Sequence, residues 1–168
     1  SKRMIKYLGF FLFLSFWSFQ AEAEDLQVYF SPSSKCENSI VKLINQSEES
    51  ISAAVYAINN DAIVEALKKA HPPLLTRPPA SVKPQFKVRE LYNYGINIRV
   101  HSKFKIEHNK FAVYDEKIAS SGSYNWTNPA SDKNSENCIF FIKNKNAVKR
   151  YLSRFEYLWR INTKKKSD

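Results

Sequence analysis

The segment IEHNKFAVYD, residues Ile106–Asp115, places a histidine and a lysine two positions apart in a stretch that otherwise predicts a β-strand. Because side chains alternate across a strand, His108 and Lys110 project from one face and Asp115 from the other. A fixed positive charge beside the imidazole disfavours its protonation. A neutral imidazole beside a cation suits attack on a bound anion, in which Lys110 holds a phosphate and His108 supplies the nucleophilic nitrogen.

Polar residues downstream complete a candidate phosphate pocket. The run Gly122-Ser123-Tyr124-Asn125 begins seven residues after Asp115. Its glycine lets the backbone turn closely, and Ser123 and Asn125 offer neutral hydrogen bonds near a phosphate. Glu136 follows, just before a buried strand, and a carboxylate there can orient an imidazole and stabilise its cationic form.

Hydrophobic periodicity predicts a single α/β domain. In its first half we expect a strand, a capped helix, an apolar strand and a second helix, at about 26–31, 34–48, 51–58 and 60–70. In its second half we expect a short helix, four strands and a final helix, at about 87–94, 96–100, 108–114, 117–120, 137–142 and 145–161. We therefore expect a mixed, largely parallel sheet with helices on both faces.

Residues 1–23 have the pattern of a signal peptide, and residues 24–168 would form the mature domain. A basic start precedes an uncharged run over residues 7–19, and Ala21-Glu22-Ala23 matches a cleavage site. A retained membrane anchor is the alternative. The whole chain carries a net charge of +10, which becomes +8 without the three basic residues and one acidic residue of this segment. Such an excess favours nucleic acid or an acidic membrane surface as partner, although a merely basic protein is also compatible with it.

The two cysteines, Cys36 and Cys138, are open to two interpretations. An even number in an exported chain allows one disulfide, but two free thiols fit equally well. The sequence contains no Cys-x-x-Cys motif and no Cys/His cluster of zinc-binding spacing, so we expect no structural zinc.

Together these residues resemble the signature of the phospholipase D superfamily, H-x-K-x4-D followed by G-S-x-N and a later acidic residue. Here it reads His108-Asn109-Lys110, then Asp115, then Gly122 to Asn125, then Glu136. The order and type of the elements are similar over most of residues 26–161. The chain looks most similar to small, exported, single-motif bacterial endonucleases and to related mitochondrial surface proteins.

The resemblance implies that His108 attacks phosphorus and forms a covalent phosphohistidine, with no metal and no cofactor. Lys110 and Asn125 would bind the phosphate oxygens, Ser123 would support that pocket, and Glu136 would orient the histidine. Asp115 belongs to the catalytic signature, but strand parity points it away from the pocket, so we expect it to have a supporting role.

The superfamily takes its general acid from a second copy of the motif, and this chain has one copy. His71 and His101 lack the motif context that would fit them for this part. The resemblance therefore implies a homodimer in which the second His108 comes from a twofold-related subunit, with the active site at the interface.

The segment HPPLLTRPPASVKP, residues 71–84, departs from the superfamily pattern, which usually has a Gly-Val-x-Val type strand here. It holds five of the seven prolines, and proline cannot donate a ladder hydrogen bond. We expect an extended loop and a sheet that lacks one strand or takes it from elsewhere.

Three functions remain compatible with these residues. The basic charge favours a periplasmic or secreted phosphodiesterase that acts on DNA or RNA. The same site would also serve a phospholipid hydrolase, for example one that acts on cardiolipin. The third alternative is a nucleic-acid-binding protein whose damaged sheet prevents catalysis.

Overall fold

The computed structural model describes residues 25–70, 74–76, 86–100 and 103–162. In chain order its elements are β1 Leu26–Ser31, α1 Lys35–Gln46, β2 Ile51–Val55, α2 Asp61–Ala70, β3 Leu74–Thr76, α3 Phe86–Asn93, β4 Ile98–Val100, β5 Lys110–Tyr114, β6 Ile118–Gly122, α4 Asn128–Asp132, β7 Glu136–Phe141 and α5 Lys145–Ile161. The predicted leader at 1–23, together with His71 and His101, lies outside the described residues. Among the helices that are described, none is both long and apolar enough to cross a membrane.

The described strands form one mixed sheet in the order β1-β7-β6-β5-β2-β3-β4, which confirms the α/β fold class. The expectation of a largely parallel sheet is wrong. Only β2–β3 and β3–β4 pair in parallel, and the other four pairings are antiparallel. For the β5–β6 pair the reason is the length of the connection. A tight turn joins β5 to β6, and such a connection allows only antiparallel pairing, whereas parallel neighbours need a longer crossover.

The expectation that a strand is missing from the proline-rich segment is wrong. Leu74, Leu75 and Thr76 form β3, which pairs in parallel with β2 on one side and β4 on the other. Proline is excluded from a central strand because it has no N–H to donate. The strand takes the proline-free residues between the two proline pairs, so the sheet is continuous from β2 to β4. The rest of residues 71–84 lies outside the described part of the chain.

Helices cover both faces of the sheet, as the continuous apolar run of β2 predicts. On one face, α1, α2 and α3 pack with Ala53 and Val55 of β2 in the main core. On the other face, Phe155 and Leu158 of α5 pack against Ala54 of β2 and Phe111 of β5. Successive residues of β2 thus contribute to opposite layers, which explains why its sequence is apolar at nearly every position.

Element boundaries follow the prediction closely where local signals are strong. Helices α1, α2, α3 and α5 begin and end within two residues of the expected positions, and α3 is followed by Gly95 at φ 103°. Two differences matter for the site. Strand β2 ends at Val55, and β5 begins only at Lys110, which leaves His108 just before the strand.

A disulfide joins Cys36 of α1 to Cys138 of β7, with their Cα atoms 5.9 Å apart. This resolves the open question about the two cysteines in favour of a bonded pair. Both residues are buried, so the bond ties the helical layer to the sheet inside the main core.

Candidate active site

The predicted site residues come together at one edge of the sheet because of the antiparallel pairing. Val55, the last residue of β2, pairs with Lys110, the first residue of β5. Gly122, the last residue of β6, pairs with Cys138 near the start of β7. The loops that carry Ser123 and Asn125 therefore leave the sheet at the edge where β5 begins.

His108 and Lys110 are in direct contact. The Lys110 ammonium donates a hydrogen bond to His108 Nδ1 at 2.8 Å, and it also donates to the His108 carbonyl oxygen. The Tyr56 ring lies beside both side chains, with its centroid 4.7 Å from that of the imidazole and 5.3 Å from Lys110 Nζ. The imidazole is exposed, while Lys110 is partly buried. A reactive imidazole is thus open to a ligand and held by a cation and an aromatic ring.

The environment of Lys110 weakens its hold on a proton. Partial burial lowers the pKa of Lys110 below its ordinary value, while the negative charges of Glu136 and Glu107 act in the opposite direction. Glu107 is almost fully buried, and its carboxylate accepts a hydrogen bond from the backbone N–H of Asn109 at 3.2 Å. That bond fixes the backbone of the residue between His108 and Lys110.

Ser123 and Glu136 form a second pair. The Ser123 hydroxyl donates to Glu136 Oε1 at 2.9 Å and accepts from the backbone N–H of Asn137 at 3.0 Å. The other carboxylate oxygen of Glu136 accepts from the Asn134 side chain at 3.3 Å. In the described part of one chain, the carboxylate thus bonds Ser123 and Asn134, and no hydrogen bond joins it to His108. The expected orienting contact between Glu136 and His108 is therefore not made within a single subunit.

Asn125 is positioned by its side-chain oxygen, which accepts a hydrogen bond from the backbone N–H of Ala57 at 3.2 Å. The adjacent Trp126 is buried, and its backbone N–H donates to the Ala57 carbonyl at 3.1 Å. These bonds fix the loop after β6 against the loop after β2. Because the oxygen of Asn125 is the bonded end, its amide hydrogens are the end suited to a phosphate oxygen.

Gly122 is required by a close approach of two backbones. A Cβ atom at this position would lie 2.4 Å from the carbonyl oxygen of Asn137, and the residue has φ 129°. The same carbonyl accepts hydrogen bonds from the backbone N–H groups of Ser123 and Tyr124, at 3.1 and 3.2 Å. The absence of a side chain at Gly122 therefore allows Ser123 to reach Glu136.

Asp115 lies away from the other signature residues, at the opposite end of β5. Its carboxylate accepts hydrogen bonds from the backbone N–H groups of Glu48, Glu49 and Ser50, at 2.8 to 3.1 Å. Partial burial would raise the pKa of Asp115, but these three donors and the charge of Lys117 hold it below the ordinary value. This placement fits the supporting role that strand parity predicts.

Sequence reasoning missed Tyr56 and Glu107. Tyr56 reaches the site because its backbone N–H bonds the carbonyl of Asn109 at 2.9 Å, a pairing set by the register of β2 and β5. Glu107 had a usable signal, since it is an acidic residue directly before His108. Among the described residues, no group of three or more His, Cys, Asp or Glu side chains lies close enough together to hold a metal ion.

Comparison with known proteins gives one family match. The family model described as "Cardiolipin synthase, PLD-like domain" matches residues 40–159, which include His108, Lys110, Ser123, Asn125 and Glu136. Among curated proteins, a protein named phospholipase D from Rickettsia prowazekii is 32% identical over 133 residues, which cover 75% of this chain and 63% of that protein. The chain thus spans less than two thirds of the length of that relative.

A shorter match links the chain to the mitochondrial cardiolipin hydrolase of Canis lupus familiaris. The two are 35% identical over 65 residues, which are 39% of this chain and 25% of that protein. Two solved structures share the fold. Nuc from Salmonella typhimurium, a phospholipase D family member, superposes with a TM-score of 0.76 at 23% identity and covers 84% of this chain and 98% of its own. NucT from Helicobacter pylori gives a TM-score of 0.71 at 19% identity, over 83% and 98%.

Proposed function

The chain belongs to the phospholipase D superfamily, and on that premise we propose that it hydrolyses phosphodiester bonds in DNA or RNA through a covalent phosphohistidine. The observation that carries this proposal is the contact between Lys110 Nζ and His108 Nδ1 at an exposed sheet edge, 2.8 Å apart. It joins a nucleophile to a phosphate-binding cation, and Ser123, Asn125 and Glu136 line the same edge.

The first step is phosphate binding by Lys110 and the amide of Asn125. The Lys110 ammonium has three N–H donors, two of which bond His108, so the third is available for a phosphate oxygen. A ring nitrogen of His108 then attacks phosphorus, and the bond from phosphorus to the leaving oxygen breaks while that oxygen takes a proton from a general acid. Water next attacks the phosphohistidine, gives its proton to the conjugate base of that acid, and releases His108 and the second product.

We propose that the general acid is His108 of a second subunit in a homodimer. Within the described residues of one chain, His108 is the only histidine at the site. Its exposure and the position of the site at the sheet edge allow a twofold-related copy to bring a second imidazole opposite the first.

Nucleic acid is favoured over phospholipid by the net charge of +8 that the chain carries without residues 1–23, and by its compact form with a single motif copy. The phospholipid alternative draws support from the short match to a cardiolipin hydrolase. The alternative of a binding protein without activity rested on a damaged sheet, and the pairing of β3 with β2 and β4 removes that reason.

We also propose that the protein works outside the cytoplasm, in the periplasm or after secretion. The disulfide between Cys36 and Cys138 supports this, since disulfides persist mainly in oxidising compartments.

The test is cleavage of single-stranded and double-stranded DNA and RNA by the purified protein in EDTA, with cardiolipin vesicles assayed in parallel. We expect EDTA-resistant cleavage of nucleic acid that is lost in His108→Ala. Lys117→Ala, at the far end of β5, is the control and should retain activity. Cleavage that survives His108→Ala would contradict the mechanism, and hydrolysis of cardiolipin alone would contradict the choice of substrate.

A further inference from the structure

A groove of about 880 Å³ lies beside the candidate site, between the start of β5 and the outer face of α5. Its cationic and aromatic lining residues are Lys149, Arg150, Tyr151, Arg154 and Tyr157 of α5 and Phe111 of β5. Asn109, which separates His108 from Lys110 in the sequence, lines the same groove. The groove therefore opens at the end of β5 that carries His108 and Lys110, but on the α5 face of the sheet, opposite to the side chain of Lys110.

One face of the helix α5 packs in the core, and another face lines this groove. Val148, Phe155 and Leu158 are buried against the sheet. Arg150 and Arg154 are four residues apart, so they project from one face of the helix, and both are exposed. The core does not require cations at these positions.

The charge of the groove is positive and locally uncompensated. None of the described residues that line it is acidic. The ion pairs among the described residues involve Lys68 and Lys87 and do not include Lys149, Arg150 or Arg154. Three neighbouring cations without a carboxylate partner form a surface that attracts a polyanion.

Aromatic side chains alternate with these cations. The Arg154 guanidinium lies 5.0 Å from the ring centroid of Tyr157 and 5.7 Å from that of Phe104, in the loop before His108. Both rings are exposed, Phe104 at 42% and Tyr157 at 37% of their surface. Single-stranded nucleic acid is typically bound by such a combination: the cations contact the phosphate backbone, and the bases stack on the exposed aromatic rings.

The length of the groove favours a polymer over a lipid headgroup. Its lining runs from Asn146 to Tyr157 along α5, which corresponds to about 17 Å at the helical rise per residue. A single phosphodiester headgroup at His108 does not extend that far, whereas a nucleic acid strand carries further phosphates at regular intervals.

We infer that this α5 groove binds the single strand of nucleic acid on one side of the scissile phosphate. Lys149, Arg150 and Arg154 contact its backbone phosphates, and Phe104 and Tyr157 stack with its bases. The inference rests on the proposed function and adds to it the path of the substrate and a preference for single strands.

The test compares two triple variants that lose the same charge. The groove variant carries Lys149→Gln, Arg150→Gln and Arg154→Gln. The matched control carries Lys42→Gln, Lys69→Gln and Arg89→Gln, three exposed cations on the helices of the opposite face. Fluorescence anisotropy measures the Kd of a single-stranded oligonucleotide at several salt concentrations. Hydrolysis of bis(p-nitrophenyl) phosphate, which is too short to extend from His108 along the groove, measures the catalytic site separately.

We expect the Kd of the groove variant to rise at least tenfold. The slope of the logarithm of its association constant against the logarithm of the salt concentration should be shallower by about 2. Each phosphate contact with a single strand contributes about 0.7 to this slope, and three contacts are lost. The control should bind within threefold of the parent, and both variants should hydrolyse the small diester at the parental rate.

Equal oligonucleotide affinity in the groove variant and its control would overturn the inference, whether or not the protein is active. So would a groove variant that loses binding to cardiolipin vesicles but keeps binding to the oligonucleotide. Absence of small-diester hydrolysis in the parent would instead contradict the proposed function and leave the binding comparison valid. If thermal unfolding shows that the triple variant is not folded, the single variants Arg150→Gln and Arg154→Gln provide the same comparison.

Discussion

At the scale of single residues, Lys110 links the electrostatics of the site to its expected pH dependence. Partial burial lowers the pKa of Lys110, so the ammonium loses its proton at a lower pH than an ordinary lysine. Since the charged form binds phosphate, we predict that KM for a small phosphodiester rises with pH at values still below 10.5, the ordinary pKa of lysine. Steady-state kinetics between pH 7 and 10.5 measure this rise.

Lys110→Arg is the matched variant for that experiment, because a guanidinium keeps its charge throughout this pH range. The variant should show a flat KM over the interval in which the parent shows a rising one, even if its kcat is lower. The prediction is contradicted if KM rises at the same pH in both proteins.

Gly122 and Gly95 provide a second comparison at this scale. Both have positive φ, but a Cβ atom at Gly122 would lie 2.4 Å from a backbone oxygen, whereas nothing lies within 4 Å of a Cβ at Gly95. We predict that Gly95→Ala costs about 1 kcal/mol of stability from backbone strain alone. Gly122→Ala should cost about 2 kcal/mol more, because the β6 and β7 backbones must separate. Urea unfolding measures both, and equal losses would contradict the close approach.

Much of the site could be predicted from residue spacing, because the motif residues occupy fixed positions relative to local strands and turns. His108, Lys110, Ser123, Asn125 and Glu136 do lie at one sheet edge. Tyr56 could not be predicted, since it reaches His108 only through the pairing of two strands whose sequence separation exceeds 50 residues. Local periodicity contains no information about that register.

At the scale of elements, Asp115 fastens the β5–β6 hairpin to the connection between α1 and β2. Its carboxylate accepts three backbone N–H groups, and an amide at this position would provide only one oxygen as acceptor. We predict that Asp115→Asn lowers the free energy of unfolding by about 1 to 2 kcal/mol near neutral pH. Glu116→Gln removes the same charge from the neighbouring exposed turn residue and should be neutral.

The loss should depend on pH in a defined direction. The folded-state pKa of Asp115 is lowered, so its contribution is complete above the ordinary value of 3.8 and disappears as the pH falls through the folded pKa. The difference between the parent and Asp115→Asn should therefore be constant from pH 7 to 5 and shrink below pH 4. A difference that grows on acidification would contradict this role of the carboxylate.

The elements that sequence reasoning described incorrectly are those decided by non-local pairing. Strand β3 has only three residues, which are too few to show a periodicity. It is stabilised by its pairing with β2 and β4. The short helix α4 was not predicted, although Thr127 caps it by accepting a hydrogen bond from the N–H of Ala130. The long amphipathic helix α5 was predicted with its observed bounds, because the burial of one face determines where such a helix forms.

At the scale of the whole molecule, the disulfide closes a loop between residues 102 positions apart. A cross-link over such a separation reduces the entropy of the unfolded chain and stabilises the folded protein by about 4.7 kcal/mol in the chain-entropy model. We predict that dithiothreitol lowers the urea midpoint of the parent by a corresponding amount. A Cys36→Ala, Cys138→Ala variant should unfold at the lower midpoint with or without reductant. An unchanged parental midpoint after complete reduction would contradict this contribution.

The proposed mechanism needs both a nucleophile and a general acid, and we propose that they come from two subunits. In the proposed mechanism His108 is the nucleophile, and among the described residues of one chain no second histidine lies at the site to act as the general acid. We therefore expect activity to follow the population of dimer on dilution. The homodimer stays a prediction from the single motif copy, and the surface through which two copies would pair cannot be identified from periodicity.

The formation of a phosphohistidine is tested most directly by trapping it. The protein is mixed with a labelled single-stranded oligonucleotide in EDTA, quenched in alkaline denaturant within the first turnover, and digested for mass spectrometry. We predict a nucleotide attached through phosphorus to the peptide that contains His108, and no adduct in His108→Ala. Stoichiometric product formation in the first turnover with an unmodified His108 peptide would contradict covalent catalysis by this histidine.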